Sequence, residues 1–368
     1  MFLTRYNAKR NINLDIIRTV AVFSVLSVHF FLNTEFYNTP ILGKKLYAAT
    51  IIRTGFMVCV PLFLVLTGYL MNKKKLSKAY YSGIKKTIII YILSTLCIIA
   101  FHAIILNEQF TLFDVLINIT SFKQYSWYIE MYIGLFLLIP FLNLIYNNLS
   151  GKKEKLILIL TLLTLTTLPS LLNTFDFTTS HWLFNPASSV NYQKLVPAWW
   201  VNLYPLTYYF IGAFIQEYQD DFRIPLKCNF MLFCVSVILM GSYSYYRSYN
   251  SNFIWGSWCS WGGFENVITT VLLFIFLLRI KTEKMPYIIK QCFFTISELS
   301  LGIYLVSWIF DQYNYPKLNQ LIPETADRLL YYFLIVPLNF LLSLVLSWLI
   351  NLIYTALNKL LITLTRKT

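Results

Sequence analysis

The sequence predicts an all-α polytopic membrane protein of about ten transmembrane helices, with both termini in the cytoplasm. Three observations predict it. First, 57% of the residues are hydrophobic and only 12% are charged, and the mean hydropathy is +0.60. That balance is far more apolar than an ordinary soluble domain. Second, the apolar residues fall in repeated runs of about 20, the length that crosses a bilayer as a helix. Third, Lys and Arg are unevenly shared between alternate connecting segments.

Ten spans follow, at roughly 12–33, 52–71, 87–106, 126–147, 156–173, 200–216, 228–246, 264–279, 291–310 and 329–358. With the N-terminus inside, the segments on that side hold 21 Lys and Arg and the outer ones hold 7. Such a bias orients a chain with its basic loops in the cytoplasm. Arg5, Lys9 and Arg10 mark that side before the first span. The first apolar run is too long for a cleaved leader and no small-residue cleavage site follows it, so it is expected to be retained.

The net charge of +14 is then mostly a basic inner face meeting anionic lipid, and it does not point to nucleic acid. Of the six cysteines, Cys59, Cys97, Cys234 and Cys292 lie in or beside spans. Cys228 starts a helix, and Cys259 alone is outside. No pair has metal-site spacing, so no metal and no disulfide framework is expected. No linker, repeat or low-complexity stretch divides the chain. One domain over 1–368 is expected, without a fused extracytoplasmic domain.

The first span, NLDIIRTVAVFSVLSVHFFLN, carries Asp15, Arg18 and His29. Ionisable groups at membrane depth are costly and mark function by default. At about 100° per residue, the step from Arg18 to His29 returns to within ~20° of the same helix face, ~16 Å further along. Asp15 lies one turn before Arg18 on nearly that face, and Val22 and Val25 fill the gap. One face thus presents an acid–base pair near one end and an imidazole deep in the membrane. The plain structural alternative is a snorkelling Arg with a histidine hydrogen-bonded to a neighbouring helix.

Further along, VPLFLVLTGYL in the second span holds Pro61, which can loosen the helix and free a carbonyl. Its Thr67-Gly68 lets another backbone approach closely. The next loop is the most basic, with Lys73, Lys74, Lys75, Lys78, Lys85 and Lys86 close together. It is either a stop-transfer signal or a landing site for an anionic donor. His102 reads as an interface residue. Span four opens with Trp127 and Tyr128 as an interfacial anchor, followed by Glu130, either functional or simply interfacial. The outer loops contain His181, Trp182, Trp255, Trp258 and Trp261, residues that suit carbohydrate or an interface equally. Glu265 opens span eight, and Glu298 lies on span nine, packed inside or paired.

The Leu-Asp-x-x-Arg opening and the Arg–His pair separated by ten residues resemble bacterial membrane acyltransferase family three. Weaker echoes follow. Span two is similar to the family's Phe-Phe-x-x-Ser-Gly-Tyr-Leu pattern, with Leu64 and Thr67 as departures. Lys85-Lys86 stands where the family often has Arg-x-Arg. Trp127 to Pro140 is similar to its Trp-Tyr…Leu…Pro span. Ser297, Ser300, Gly302 and Tyr304 are similar to its Ser-Tyr-x-x-Tyr-Leu-x-His span, with Leu301 departing and Ser307 in place of the common His.

The resemblance implies an O-acyltransferase of the bacterial inner or plasma membrane. The acyl donor would be acyl-CoA, most simply acetyl-CoA, as co-substrate. The acceptor would be a hydroxyl of a surface polysaccharide or its lipid-linked precursor. His29 and Glu130 would be catalytic, and Arg18, Asp15, Lys85 and Lys86 would bind the donor. His29 would act as general base or carry the acyl group covalently. Asp15 would hold Arg18 or frame the donor channel with it. A glycan or lipid-linked-sugar transporter is the rival class, and a membrane scaffold a more distant one.

Overall fold

The computed structural model describes residues 6–7, 10–179, 181–189 and 191–365. Arg5 and Lys9, two of the charges expected to mark the cytoplasmic side, lie outside the described residues. Among the described residues there are fifteen α-helices, short 3-10 turns and no strand.

Helix α1 spans Ile12–Asn33. The Asn11 side chain accepts from the Asn13 amide and satisfies one of the open N–H groups of the first turn. Helices α2 (Gly43–Phe56) and α3 (Cys59–Met71) make one crossing of 29 residues, interrupted between them. The interruption at Met57 lies four residues before Pro61. A proline has no N–H to donate and its ring crowds the carbonyl four residues back, so the break falls where the sequence requires it.

Helices α4 (Lys78–Ser82) and α5 (Lys85–Ile105) form the next crossing, and α6 (Leu112–Thr120) precedes α7 (Trp127–Asn148). Then come α8 (Lys152–Thr166), α9 (Leu168–Leu172) and α10 (Tyr204–Tyr218). The second half holds α11 (Leu226–Ser248), α12 (Phe264–Leu278), α13 (Tyr287–Leu321), α14 (Thr325–Arg328) and α15 (Tyr332–Thr365).

Eight helical stretches among the described residues are long and apolar enough to cross a membrane. They coincide with eight of the ten expected spans. The other two, 156–173 and 200–216, are helical but short: α8 and α10 have 15 residues each. Fifteen residues reach ~22 Å, less than the ~30 Å hydrocarbon layer. Proline bounds both, with Pro169 just after α8 and Pro205 at the start of α10.

Helix α1 packs against α2, α3, α12, α13 and α15, so its polar face looks into the bundle. Helix α10, although short, is deeply placed, with Tyr208, Tyr209 and Ala213 fully buried. It meets α3 backbone to backbone. A Cβ on Gly68 would lie 1.9 Å from the Tyr209 carbonyl oxygen, and one on Gly212 would lie 1.9 Å from that of Val65. Small residues permit this approach where helices associate without a hydrophobic drive. By contrast, Leu137, Leu138, Phe141, Leu144 and Ile145 on α7 are exposed, as a lipid-facing surface should be.

The connections at the His29 end of α1 are tied together. Ile41 donates to the Ser251 carbonyl at 2.8 Å and accepts from the Asn250 amide at 3.0 Å. In the long connection after α9, Asp176 accepts from Ser189, Thr178 and Thr179. These bonds, that from Ser189 first, hold its carboxyl below the usual range.

The α3–α10 contact sets a test of the packing. Gly68→Ala places a methyl group against a backbone oxygen that cannot rotate away, and overpacking of this kind costs about 1–3 kcal/mol. The thermal unfolding midpoint of the purified protein in detergent should fall. An unchanged midpoint would contradict the contact.

Candidate active site

Arg18, Val25, Val28 and His29 of α1 line one cavity of about 510 Å³. The eleven-residue step therefore does place Arg18 and His29 on a shared face, opening onto a shared space. The rest of the wall comes from α3, from α7 with the turn before it, from Thr87 of α5, from Ser300, Leu301 and Tyr304 of α13, and from Tyr37, Trp255 and Trp261 of the connections.

His29 is 7% exposed and is held on two sides. Its ring lies on Tyr125 with centroids 3.7 Å apart. Its Nδ1 is 3.2 Å from Oδ2 of Asp311 and 3.5 Å from Oγ of Ser307, both on α13. Asp311 is 1% exposed. Its carboxylate also accepts from Tyr125 Oη at 3.1 Å and from Asn339 Nδ2 at 2.9 Å. Asn33, one turn past His29, donates to both Tyr125 Oη and the His29 carbonyl. A carboxylate can only accept, so this network places the ring proton on Nδ1 and a lone pair on Nε2.

At the other end of the cavity, Arg18 donates from Nη1 to Ser297 Oγ at 3.3 Å. It also lines a smaller adjoining cavity of about 220 Å³ with Lys86, Glu298, Ser347 and Asn351. Glu298 is paired as expected, with Arg10 at 3.0 Å and Lys86 at 3.5 Å.

Asp15 does not hold Arg18. Its carboxylate, fully buried, takes Arg10 in a two-pronged contact, Nη2–Oδ1 at 2.7 Å and Nε–Oδ2 at 2.9 Å. Arg10 lies before the helix, outside the reach of a helical-period argument, and it competes better for the acid. Arg18 is thereby left without a carboxylate within ion-pair distance among the described residues.

Lys85 and Glu130 are not brought to the site. Lys85 is exposed and lines neither cavity. Glu130 is exposed on α7, whereas its neighbours Tyr128, Ile129 and Tyr132 face the cavity. The first turn of α7 is amphipathic, and Glu130 falls on its outward side. His102 sits apart, stacked on Trp308 and facing Glu108 at 2.9 Å. His181 is exposed on its loop. Trp255 and Trp261 line the cavity, while Trp258 is buried behind, 3.9 Å from the Arg247 guanidinium.

A family model described as an acyltransferase domain matches residues 11–348, nearly the whole chain. The chain belongs to acyltransferase family three. It is an acyltransferase enzyme and a multi-pass membrane protein, so the transporter and scaffold classes fall away. No curated protein and no solved structure matches it.

A buried carboxylate orients the imidazole through Nδ1, on a histidine that lines the cavity. Sequence reasoning missed Asp311, Tyr125 and Asn339. One signal was present: Tyr304, Ser307 and Asp311 fall three and four residues apart, on one face of α13. Asp311 lies just beyond the expected span 291–310, where an acid reads as an interface residue. Helix α13 in fact continues to Leu321.

The Arg10–Asp15 pair sets a stability test. Arg10→Ala strands a buried carboxylate, which costs up to about 3–5 kcal/mol. The lower end applies because Arg10 is one-third exposed. Adding Asp15→Asn should recover most of the loss in detergent unfolding. If Arg18→Ala is instead the change that Asp15→Asn rescues, the acid is paired with Arg18.

Proposed function

We propose that the acyltransferase moves an acyl group, acetyl from acetyl-CoA, to a hydroxyl of a cell-surface or exported polysaccharide or its lipid-linked precursor. Its place is the inner or plasma membrane of a bacterium, with both termini in the cytoplasm. One observation carries the reading: Arg18, without a carboxylate in ion-pair distance among the described residues, and the Asp311-oriented His29 open onto the same cavity.

The orientation follows from the loop count of 21 basic residues against 7. It puts Arg18, Lys85 and Lys86 on the cytoplasmic side and His29 toward the outer side. Helix α8 with α9, and α10 with the turn Val201–Leu203, would complete ten crossings. A count of eight leaves both termini on one side equally. Cysteines introduced in the loop 73–86 should react with impermeant thiol reagents only after the inner face is exposed. Reaction in intact cells would reverse the orientation and remove the donor-side argument.

The donor's phosphates lie at the basic mouth, near Arg18 and Lys86, and its thioester arm runs up the cavity. The acceptor hydroxyl meets it from the opposite end. His29 Nε2 removes the hydroxyl proton as the oxygen attacks the thioester carbonyl carbon. The carbon–sulfur bond then breaks, and the CoA thiolate leaves with the proton from the imidazolium. Asp311 keeps Nδ1–H fixed and stabilises the charged ring while it lasts.

Transfer to the polysaccharide and release of CoA, measured on membranes with matched protein levels, test the whole assignment. His29→Gln keeps a hydrogen-bonding group but cannot accept a proton, and should cost ~10²–10⁴-fold in rate. Asp311→Asn keeps shape but removes the acceptor that fixes the tautomer, and should fall in the same range. Arg18→Ala should chiefly raise the acetyl-CoA concentration required, with Arg18→Lys recovering part of it. Near-normal transfer by His29→Gln would end its role as base.

A further inference from the structure

We infer that the cavity end remote from Arg18 is an acceptor subsite, where an uncharged sugar unit lies between two aromatic pairs, Tyr37/Trp255 and Trp127/Trp261. Arg53 is the positioning residue behind it. This rests on the reading of the acceptor as carbohydrate and adds its place and charge class.

All four rings line the cavity that holds His29. Tyr37 and Trp255 have centroids 4.9 Å apart and planes inclined by 34°. Trp127 and Trp261 are 6.0 Å apart and inclined by 24°. Trp255 and Trp127 are 50% and 37% exposed, so their faces are partly open. The rings come from three segments: the 3-10 turn Phe36–Asn38, the start of α7 and the connection 249–263.

Arg53 explains how Tyr37 and Trp255 keep their places. It is a fully buried cation in a membrane crossing, a costly arrangement that calls for a reason. It does not reach the cavity. Its guanidinium carbon stands 4.2 Å from the centre of the Trp255 ring and 4.4 Å from that of Phe253. Its Nε donates to Tyr37 Oη at 3.1 Å. One planar cation thus stacks on one ring of the pair and bonds to the other.

The occupant is neutral. The charged side chain lining the cavity is Arg18, at the other end, and the titratable imidazole is His29 between them. Arg53 and Arg247, near this end, are fully buried against aromatic rings and do not line the cavity. What the cavity offers here is ring faces with a neutral polar group, the side-chain amide of Gln124. A pyranose presents an apolar C–H face to rings and hydroxyls to such groups, whereas an acidic unit would need a cation facing it.

The test uses the full chain in lipid nanodiscs. The probe is the host's own surface polysaccharide, stripped of O-acyl groups by mild alkali and titrated calorimetrically. CoA binding is measured in parallel. Trp255→Ala and Trp127→Ala should weaken polysaccharide binding about tenfold or more and leave CoA binding unchanged. Arg53→Met should weaken it too, Arg53→Lys should recover part, and Tyr37→Phe should give a smaller loss. Unchanged binding in both tryptophan variants overturns the subsite. So does parallel loss of CoA binding, which would make the rings structural, or a wild type that takes a prenyl phosphate and no polysaccharide. If these rings govern polysaccharide binding but the wild type releases no CoA from acetyl-CoA, the donor assignment falls and the subsite stands. If CoA is released and polysaccharide binding ignores the rings, the reverse holds.

Discussion

The contact between the His29 imidazole and the Asp311 carboxylate is the interaction on which the interior depends. A carboxylate 1% exposed inside a membrane bundle is stable only if donors surround it. Asp311 has three, from His29, Tyr125 and Asn339. They sit on α1, on the turn before α7 and on α15, while Asp311 itself is on α13. Four separate segments therefore converge on one acid. Asn339 is held in turn by Asn314, which donates to its side-chain oxygen at 2.6 Å. The same bonds that satisfy the acid also fix the ring nitrogen that faces the cavity, so stability and chemistry share one set of groups.

The cavity has a graded character from end to end. Arg18 and the basic mouth stand at one end, the imidazole in the middle, and four aromatic rings at the other. The charges at the basic end are not equivalent. Arg10 is taken by Asp15 and Glu298, and Lys86 by Glu298, whereas Arg18 donates to the Ser297 hydroxyl and, among the described residues, has no carboxylate within ion-pair distance.

Much of this was legible in the sequence because it is periodic. The spacing of Arg18 and His29, the break before Pro61 and the close approach at Gly68 follow from helix geometry and from what proline and glycine permit. What was hidden is not periodic. Asp15 lies one turn from Arg18, which favours that pairing on paper, yet Arg10 reaches back from outside the helix and takes it. Tyr125 reads as part of a loop. Asp311 reads as the end of a span because hydropathy stops there, although the hydrogen-bonded helix does not. Glu130 looks functional by residue type, but the rotation of α7, set by the packing of Tyr128 and Tyr132, turns it outward. Helices α8 and α10 read as crossings by hydropathy, which registers apolar character more readily than length, and at 15 residues each they are shorter than the spans expected for them.

The backbone contact between α3 and α10 decides which wall of the cavity is stiff. Two helices locked at Gly68 and Gly212 cannot slide past each other without breaking many close contacts together. The cavity wall supplied by α3 is therefore fixed. Helix α7 supplies another wall with Tyr128, Ile129 and Tyr132, and further along it Leu137, Leu138, Phe141, Leu144 and Ile145 form an exposed apolar face suited to lipid. Lipid chains yield where a packed helix does not. A cavity that widened on the α7 side would displace lipid chains, at a cost set by how readily they give way. The fluidity and lateral pressure of the membrane would thus bear on the space beside His29.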